Sequence, residues 1–289
     1  MACYSPVKGF KGLSGGISFS PKTGYVDLPM QVPCGNCIGC RLEYSRQWAV
    51  RATHEAQLHE SNCFITLTYD EAHLPENGSL SKDELHLFLK RLRKSIYPER
   101  ISYLGCGEYG DELARPHYHL ILFGYDFSSD RRRQAASSDD VPTFTSAHLE
   151  RLWPFGLHQI GTYSPAAARY IANYIVKKVK GDAALLHYGA KQPEFISVSR
   201  RPALGLNFVR GLGRETYKKD NVCIDGVLQK PPRYYDKYFK KQEAMTLVKR
   251  NRIKKANTKQ NRLNSTPERL EVRKQVKELT FKFFSRNLK

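Results

Sequence analysis

The chain has 289 residues, 47 Lys and Arg against 28 Asp and Glu, a net charge of +19 and an apolar content of 40%. That length allows one full core with an appendage, or two small domains, and a charge far beyond what solubility requires predicts a polyanionic partner and argues against a small-molecule hydrolase. No stretch reads as a signal peptide or approaches the roughly 18 apolar residues of a spanning helix, so the expectation is a soluble, cytoplasmic protein with no membrane partner.

A Gly- and Pro-rich opening, residues 1–33, leads into PCGNCIGC and a helical stretch near Leu42–Glu60. Cys34, Cys37 and Cys40 form a C-x2-C-x2-C pattern, and Cys3 can supply a fourth thiolate. Four thiolates would close a tetrahedral structural zinc site; reduced core thiols and an iron–sulfur ligand set fit the same spacing. The seven cysteines, an odd number without a secretory signal, argue against a disulfide framework. Cys63, Cys106 and Cys223 read as small buried residues.

CFITLTYD, residues 63–70, alternates as a strand, with Ile65, Leu67 and Tyr69 on one face and Phe64, Thr66 and Thr68 on the other. SKDELHLFLKRLRKSIYP follows as an amphipathic helix: Ser81 and Glu84 make a capping box, Leu85, Phe88, Leu89, Leu92 and Ile96 share a face, and Pro98 closes it. RISYLGCGEYG (100–110) and RPHYHLILFG (115–124) read as an antiparallel hairpin, and the polar DFSSDRRRQAASSDDVPT after it as a mobile loop. A short helix near Ser146–Leu152, a strand at HQIGTY and the helix SPAAARYIANYIVKKVKG complete the pattern. The last has Ser164 at its N-cap, Pro165 at its first position and Gly181 just past its end. This order predicts an α+β fold, an antiparallel sheet with helices on one face.

On an extended chain His117 and His119 share a face, with Cα atoms roughly 6.5–7 Å apart. Glu108, across the hairpin turn, can offer a carboxylate to the same ion, and two imidazoles with one carboxylate and open positions suit a divalent metal that also holds a substrate oxygen. Tyr118, between the histidines, points the other way. On the last helix, with Tyr170 at 0°, Tyr174 falls at about 40°, Lys177 at about 340° and Lys178 at about 80°, while Ala168, Ile171, Ile175 and Val179 cluster between about 100° and 180°. The tyrosines therefore stand off the core face, two phenol nucleophiles beside ammonium groups that can stabilise a phosphate.

CFITLTYD, CGEYGDELARPHYHLILFG and RYIANYIVKKVKG, in this order and spacing, resemble the three motifs of the HUH endonucleases that initiate rolling-circle replication. The double tyrosine, with PCGNCIGCRLEYSRQWAVR and EFISVSRRPALG, is similar to the replication initiators of small single-stranded DNA phages, the gokushovirus branch of the microviruses. The resemblance covers roughly residues 30–210. It implies a palm-like (RRM-like) antiparallel sheet carrying magnesium or manganese on its open face, bound by His117, His119 and Glu108. It further implies nicking of origin DNA by Tyr170 and Tyr174, assisted by Lys177 or Lys178. The product is a 5′-phosphotyrosine and a free 3′ hydroxyl that primes a host polymerase, with host polymerase and helicase as partners in the bacterial cytoplasm. One departure is visible: the residue between the histidines is usually a bulky aliphatic, and here it is Tyr118.

The last 60 residues hold 19 basic and 5 acidic side chains, +14 of the +19. Tyr234, Tyr235, Tyr238 and Phe239 interleave with Lys and Arg at its start, a composition suited to neutralising phosphates and stacking on bases of single-stranded DNA. The expected organisation is a Cys-rich segment and helix at 1–60, a catalytic core at 61–182, an extension at 183–229 and a basic, partly helical DNA-binding tail at 230–289. A competing reading is a zinc-bearing single-stranded DNA-binding protein without catalysis.

Overall fold

A computed structural model of the chain describes residues 3–110, 113–134, 142–179, 181–239 and 243–286. The chain forms two compact units, residues 45–240 and residues 1–44 together with 241–289. Among the described residues no helix is long and apolar enough to cross a membrane.

The first unit opens with strands β1 (Val7–Gly12), β2 (Ile17–Ser18) and β3 (Gly24–Val32), which pair in the order β2-β1-β3, where the sequence predicts no element. Helix α1 (Ile38–Ala56) begins four residues before its expected start and carries the chain into the second unit.

The second unit is built on strands β4 (Asn62–Thr68), β5 (Ser102–Tyr109), β6 (Pro116–Phe123), β7 (Arg132–Arg133), β8 (Thr143–Thr145), β9 (His158–Thr162) and β10 (Phe195–Val198). They form one sheet in the order β10-β5-β6-β4-β9-β8-β7, antiparallel at every pairing. The insert expected as a loop contributes β7, and its centre, 135–141, lies outside the described residues.

Helices cover both faces of this sheet, not the single face expected. Helices α2 (Lys82–Ser95) and α3 (Ala147–Leu152) bring Leu85, Phe88, Leu89, Leu92, Leu149 and Leu152 onto Ile65, Leu67, Tyr118, Leu120 and Leu122. On the other face, α1 and α4 (Pro165–Lys177) set Ala52, Ala56, Ala168, Ile171 and Tyr174 against Leu104, Cys106, Ile121 and Phe123. The reason lies in β5 and β6, whose side chains are buried almost without interruption, so that apolar surface on both sides needs cover. Each fully buried Phe or Leu contributes about 1.5–3 kcal/mol.

The helix caps follow the sequence. Ser81 Oγ accepts from Glu84 N–H (3.2 Å), and Ser164 Oγ from Ala167 N–H (3.1 Å). Helix α4 nevertheless ends at Lys177, before Gly181, because Lys178 turns to an extended ψ of 122°. Tyr118 is fully buried, and its hydroxyl donates to Ser81 O (2.9 Å), accepts from Ser81 N–H (3.0 Å) and lies 2.9 Å from Tyr69 Oη. The phenol thus ties the central strand to the start of α2, which accounts for an aromatic at this position.

Helices α5 (Ala183–Tyr188), α6 (Leu206–Lys219) and α7 (Arg233–Phe239), with the hairpin of β11 (Val222–Ile224) and β12 (Val227–Gln229), complete the unit. Tyr235 and Phe239, expected to stack on bases, are buried in α7, where Tyr235 Oη meets His54 Nδ1 at 2.8 Å; their spacing of four places both on the packed side of the helix. Cys63 and Cys106 are buried as expected, whereas Cys223 is exposed, on a two-stranded hairpin too small to cover both faces. The basic tail continues in the first unit as α8 (Glu243–Ala256), α9 (Lys259–Leu263) and α10 (Pro267–Arg286).

Candidate metal and tyrosine centre

The register of β5 on β6 sets Glu108 directly opposite His117 and Cys106 opposite His119. The carboxylate therefore stands over the histidine face: Glu108 Oε1 is 2.6 Å from His117 Nε2 and 3.0 Å from His119 Nε2. Donor atoms of an octahedral ion at about 2.1 Å lie about 3 Å apart, so these spacings suit three ligands of one ion.

Proton accounting sharpens the point. His117 Nδ1 lies 3.0 Å from Arg115 O, which can only accept, so Nδ1 carries the proton and Nε2 presents its lone pair to a carboxylate oxygen. Two acceptors at that distance require a cation, either a second imidazole proton or a metal ion. Glu108 Oε2 is buried and has no hydrogen-bond partner among the described residues, a further lone pair in want of a cation. Burial alone would raise the Glu108 pKa, but hydrogen bonds from His117 and His119 and their charge outweigh it and hold the carboxyl below its ordinary value. The residues fit a divalent ion.

His119 is held from behind. Its Nδ1 lies 2.9 Å from Thr66 Oγ1 on β4, and Phe64 stacks on its ring with centroids 5.4 Å apart. Such a partner fixes which imidazole nitrogen faces the ion. The alternation of CFITLTYD puts Phe64 and Thr66 on one face, but only the pairing of Thr66 with His119 across β4 and β6 gives them this role.

The two tyrosines of α4 both pack on His119 and differ in exposure. Tyr170 is 45% exposed and edge-on to His119 (5.3 Å between centroids) and to Phe64 (6.3 Å). Tyr174 is 4% exposed and lies nearly parallel to the His119 ring at 6.0 Å. The expectation that both stand off the core face holds for Tyr170 and fails for Tyr174, because a helix lying on a sheet buries a wider arc than its aliphatic stripe. Burial, the Glu108 carboxylate and the Tyr170 hydroxyl all push the Tyr174 phenol well above its ordinary pKa. Lys178 caps α4, its N–H reaching Tyr174 O at 3.3 Å, and its side chain is half-buried. The Lys177 side chain lies outside the described residues.

In the first unit, Cys3, Cys34, Cys37 and Cys40 bring their sulfurs within 4.8 Å of one another. Backbone N–H groups of Cys34, Cys37 and Tyr4 donate to Cys3, Cys34 and Cys37 Sγ, each at 3.3 Å. The Cys37 and Cys3 sulfurs are 3.9 Å apart, close to the ~3.8 Å edge of a tetrahedral site with 2.3 Å metal–sulfur bonds. Burial raises the Cys37 pKa, yet the hydrogen bonds to its sulfur prevail and bring it down to about 7. Four thiols so placed form a second candidate metal site.

Residues 62–179 match the family model of the ORF2-type replication-associated proteins, a span that contains Glu108, both histidines and both tyrosines. The chain is similar to replication-associated protein VP4 of Bdellovibrio phage phiMH2K, 30% identical over 253 residues, covering 83% of this chain and 78% of the relative. It is 34% identical over 227 residues to replication-associated protein ORF2 of Spiroplasma virus 4, covering 73% of this chain and 68% of the relative. With replication-associated protein ORF4 of Chlamydia phage 1 the identity is 32% over 217 residues, 73% of this chain and 54% of the relative. No solved structure matches.

The Thr66 contact predicts that Thr66→Val weakens Mn2+ binding at the Glu108–His117–His119 group about 10- to 100-fold in calorimetric titration, while Thr66→Ser keeps it. Equal affinity in the Val variant would mean that the hydroxyl does not position His119.

Proposed function

Because the chain belongs to the family of phage replication-associated proteins, we propose that it starts rolling-circle replication by nicking origin DNA through tyrosine attack on an HUH palm. The observation that carries this reading is His119, which touches Glu108 on one side and both tyrosine rings on the other. A magnesium or manganese ion held by His117, His119 and Glu108 would polarise the scissile phosphate and neutralise the charge that develops on it.

Tyr170, exposed at the mouth of the site, is the first nucleophile. Its phenol oxygen bonds to phosphorus as the bond to the 3′ oxygen breaks. The phenol proton leaves to water, the 3′ oxygen gains a proton, and the products are a 5′-phosphotyrosine and a free 3′ hydroxyl. The edge-on contacts with His119 and Phe64 hold the Tyr170 ring so that little orientational freedom is lost on attack. The link keeps the energy of the phosphodiester, so a second attack can pass the strand end on. Tyr174, buried and held protonated, is kept for that later step, one helical turn away. Lys177 or Lys178 adds positive charge beside the phosphate. The 3′ hydroxyl then primes a host polymerase, with the host helicase unwinding ahead of it, in the cytoplasm of the infected cell.

The four thiols hold a structural zinc, and the basic helices of the tail bind DNA. Purified chain should contain one zinc by elemental analysis and lose it in Cys40→Ser; a metal-free wild-type chain that is fully folded would remove the zinc from this account. On α8, Lys249, Arg250, Lys254 and Lys255 are exposed. Changing all four to Gln should reduce the slope of log K against log salt by about 3 on single-stranded DNA; an unchanged slope would mean that α8 does not touch DNA.

The tyrosine scheme is read on denaturing gels, with single-stranded fragments of the genome that encodes the chain and Mn2+. Tyr170→Phe should lose most of the covalent adduct, Tyr174→Phe should keep the adduct and lose strand joining, and the double variant should bind without cleaving. Normal joining by either single variant would end the two-nucleophile scheme, and the absence of any adduct from the wild type would end the nuclease reading.

A further inference from the structure

The segment between α4 and β10 spans the two walls of the centre. It leaves α4 one turn after Tyr174, where Tyr188 Oη accepts the Val179 N–H at 3.0 Å. Tyr188 also hydrogen-bonds Glu194. The segment returns beside Glu108: Gln192 N–H donates to Ser79 Oγ (3.0 Å), Gln192 O accepts from Tyr109 Oη (2.7 Å), and Phe195 pairs with Gly107. Both ends are thus tied to the elements that carry the nucleophiles and the carboxylate. At its apex, α5 packs Tyr188 inward and turns Leu185 and Leu186 outward, 77% and 93% exposed.

Two adjacent leucines held nearly bare on an anchored segment cost solvation and need a partner. Two side chains are far too few for a protein interface, which takes about 1,000 Å2 or more. They are the number that DNA-bending proteins insert between base steps, where one or two apolar side chains replace a stacked neighbour. The charge around them favours the same partner: Lys178, Lys191, Arg200 and Arg201 flank the segment, against Asp182 and a Glu194 engaged by Tyr188. A phosphate backbone would meet cations on both sides of an apolar tip.

We propose that Leu185 and Leu186 form a wedge that enters duplex DNA at a base step beside the scissile phosphate, unstacking it so that a single strand can reach Tyr170. This rests on the nuclease reading, since a wedge matters where a paired strand must be opened before attack. A hydroxyl at these positions would keep the exposed surface soluble and remove the apolar insertion.

The test uses the full-length chain and a forked duplex with 2-aminopurine in a T·A step next to the fork, a probe that brightens when unstacked. Wild type should brighten it on binding, the double variant Leu185→Ser/Leu186→Ser should lose most of that signal at equal occupancy, and Leu186→Phe should keep it. With genomic fragments and Mn2+, the serine variant should cleave single strands within about twofold of wild type, nick the duplex form at least about tenfold more slowly, and recover on a mismatched bubble. Equal brightening by wild type and the serine variant would overturn the wedge and leave the leucines to a protein partner, as would equal loss on single and double strands. If wild type brightens the probe in a leucine-dependent way and cleaves nothing, the wedge stands and the nuclease reading falls.

Discussion

The placement of one carboxylate against two imidazoles governs the second unit. Glu108 is 4% exposed, and a carboxylate that deep costs several kcal/mol unless its lone pairs are met by cations or donors. Its partners are supplied by strand register alone: a one-residue slip of β5 on β6 would send Glu108 to the α2 face, where Leu85, Phe88 and Trp153 could not satisfy it. The same register sends Tyr118 to that opposite face, where its hydroxyl finds Tyr69 and Ser81. Site and core are thus specified by one pairing, and each penalises the slip that would destroy the other.

From that pairing the asymmetry of the tyrosines follows. His119 sits deeper than His117 along β6, with its ring between Thr66, Phe64 and helix α4. A helix packed over it must bury the residue facing the ring and leave the residue one turn earlier at the edge. Tyr174 is the first and Tyr170 the second. Burial and the nearby carboxylate keep Tyr174 protonated, so the phenol that anchors the helix is also the one least able to act first.

Much of this is legible in residue patterns. The caps of α2 and α4, the hairpin of β5 and β6, the shared face of His117 and His119 and the reach of Glu108 all rest on local periodicity and turn geometry, which sequence carries directly. What fails depends on packing between distant segments. The LILF run after His119 signals a strand buried on both sides, yet the order of elements by itself points to a one-faced sheet, and so α1 and α4 are not expected opposite α2. The wheel of α4 distinguishes an aliphatic stripe from a tyrosine stripe, but not how wide an arc the sheet covers. Thr66 is invisible as a positioning group because nothing local joins β4 to β6. Tyr235 and Phe239 look like a DNA surface by composition, while their spacing of four on a short helix is the better guide to burial.

The first unit illustrates a different constraint. Its three-stranded sheet leaves Val7, Ile17, Phe19, Val26 and Leu28 exposed, and in the tail helices Met245, Val248 and Leu270 are buried. So small an apolar interior gives little hydrophobic stabilisation against the entropy of ordering the segment. The four thiols lie where that deficit is largest, joining Cys3 at the start of the chain to the turn that begins α1. A metal bound there contributes its binding free energy to folding, because the unfolded chain offers no preformed ligand set. The Arg273 guanidinium of α10 lies 5.7 Å over the ring of Tyr4, beside Cys3, so the basic helices and the thiol cluster share a wall. Ordering the cluster therefore also orders the surface whose positive charge meets DNA.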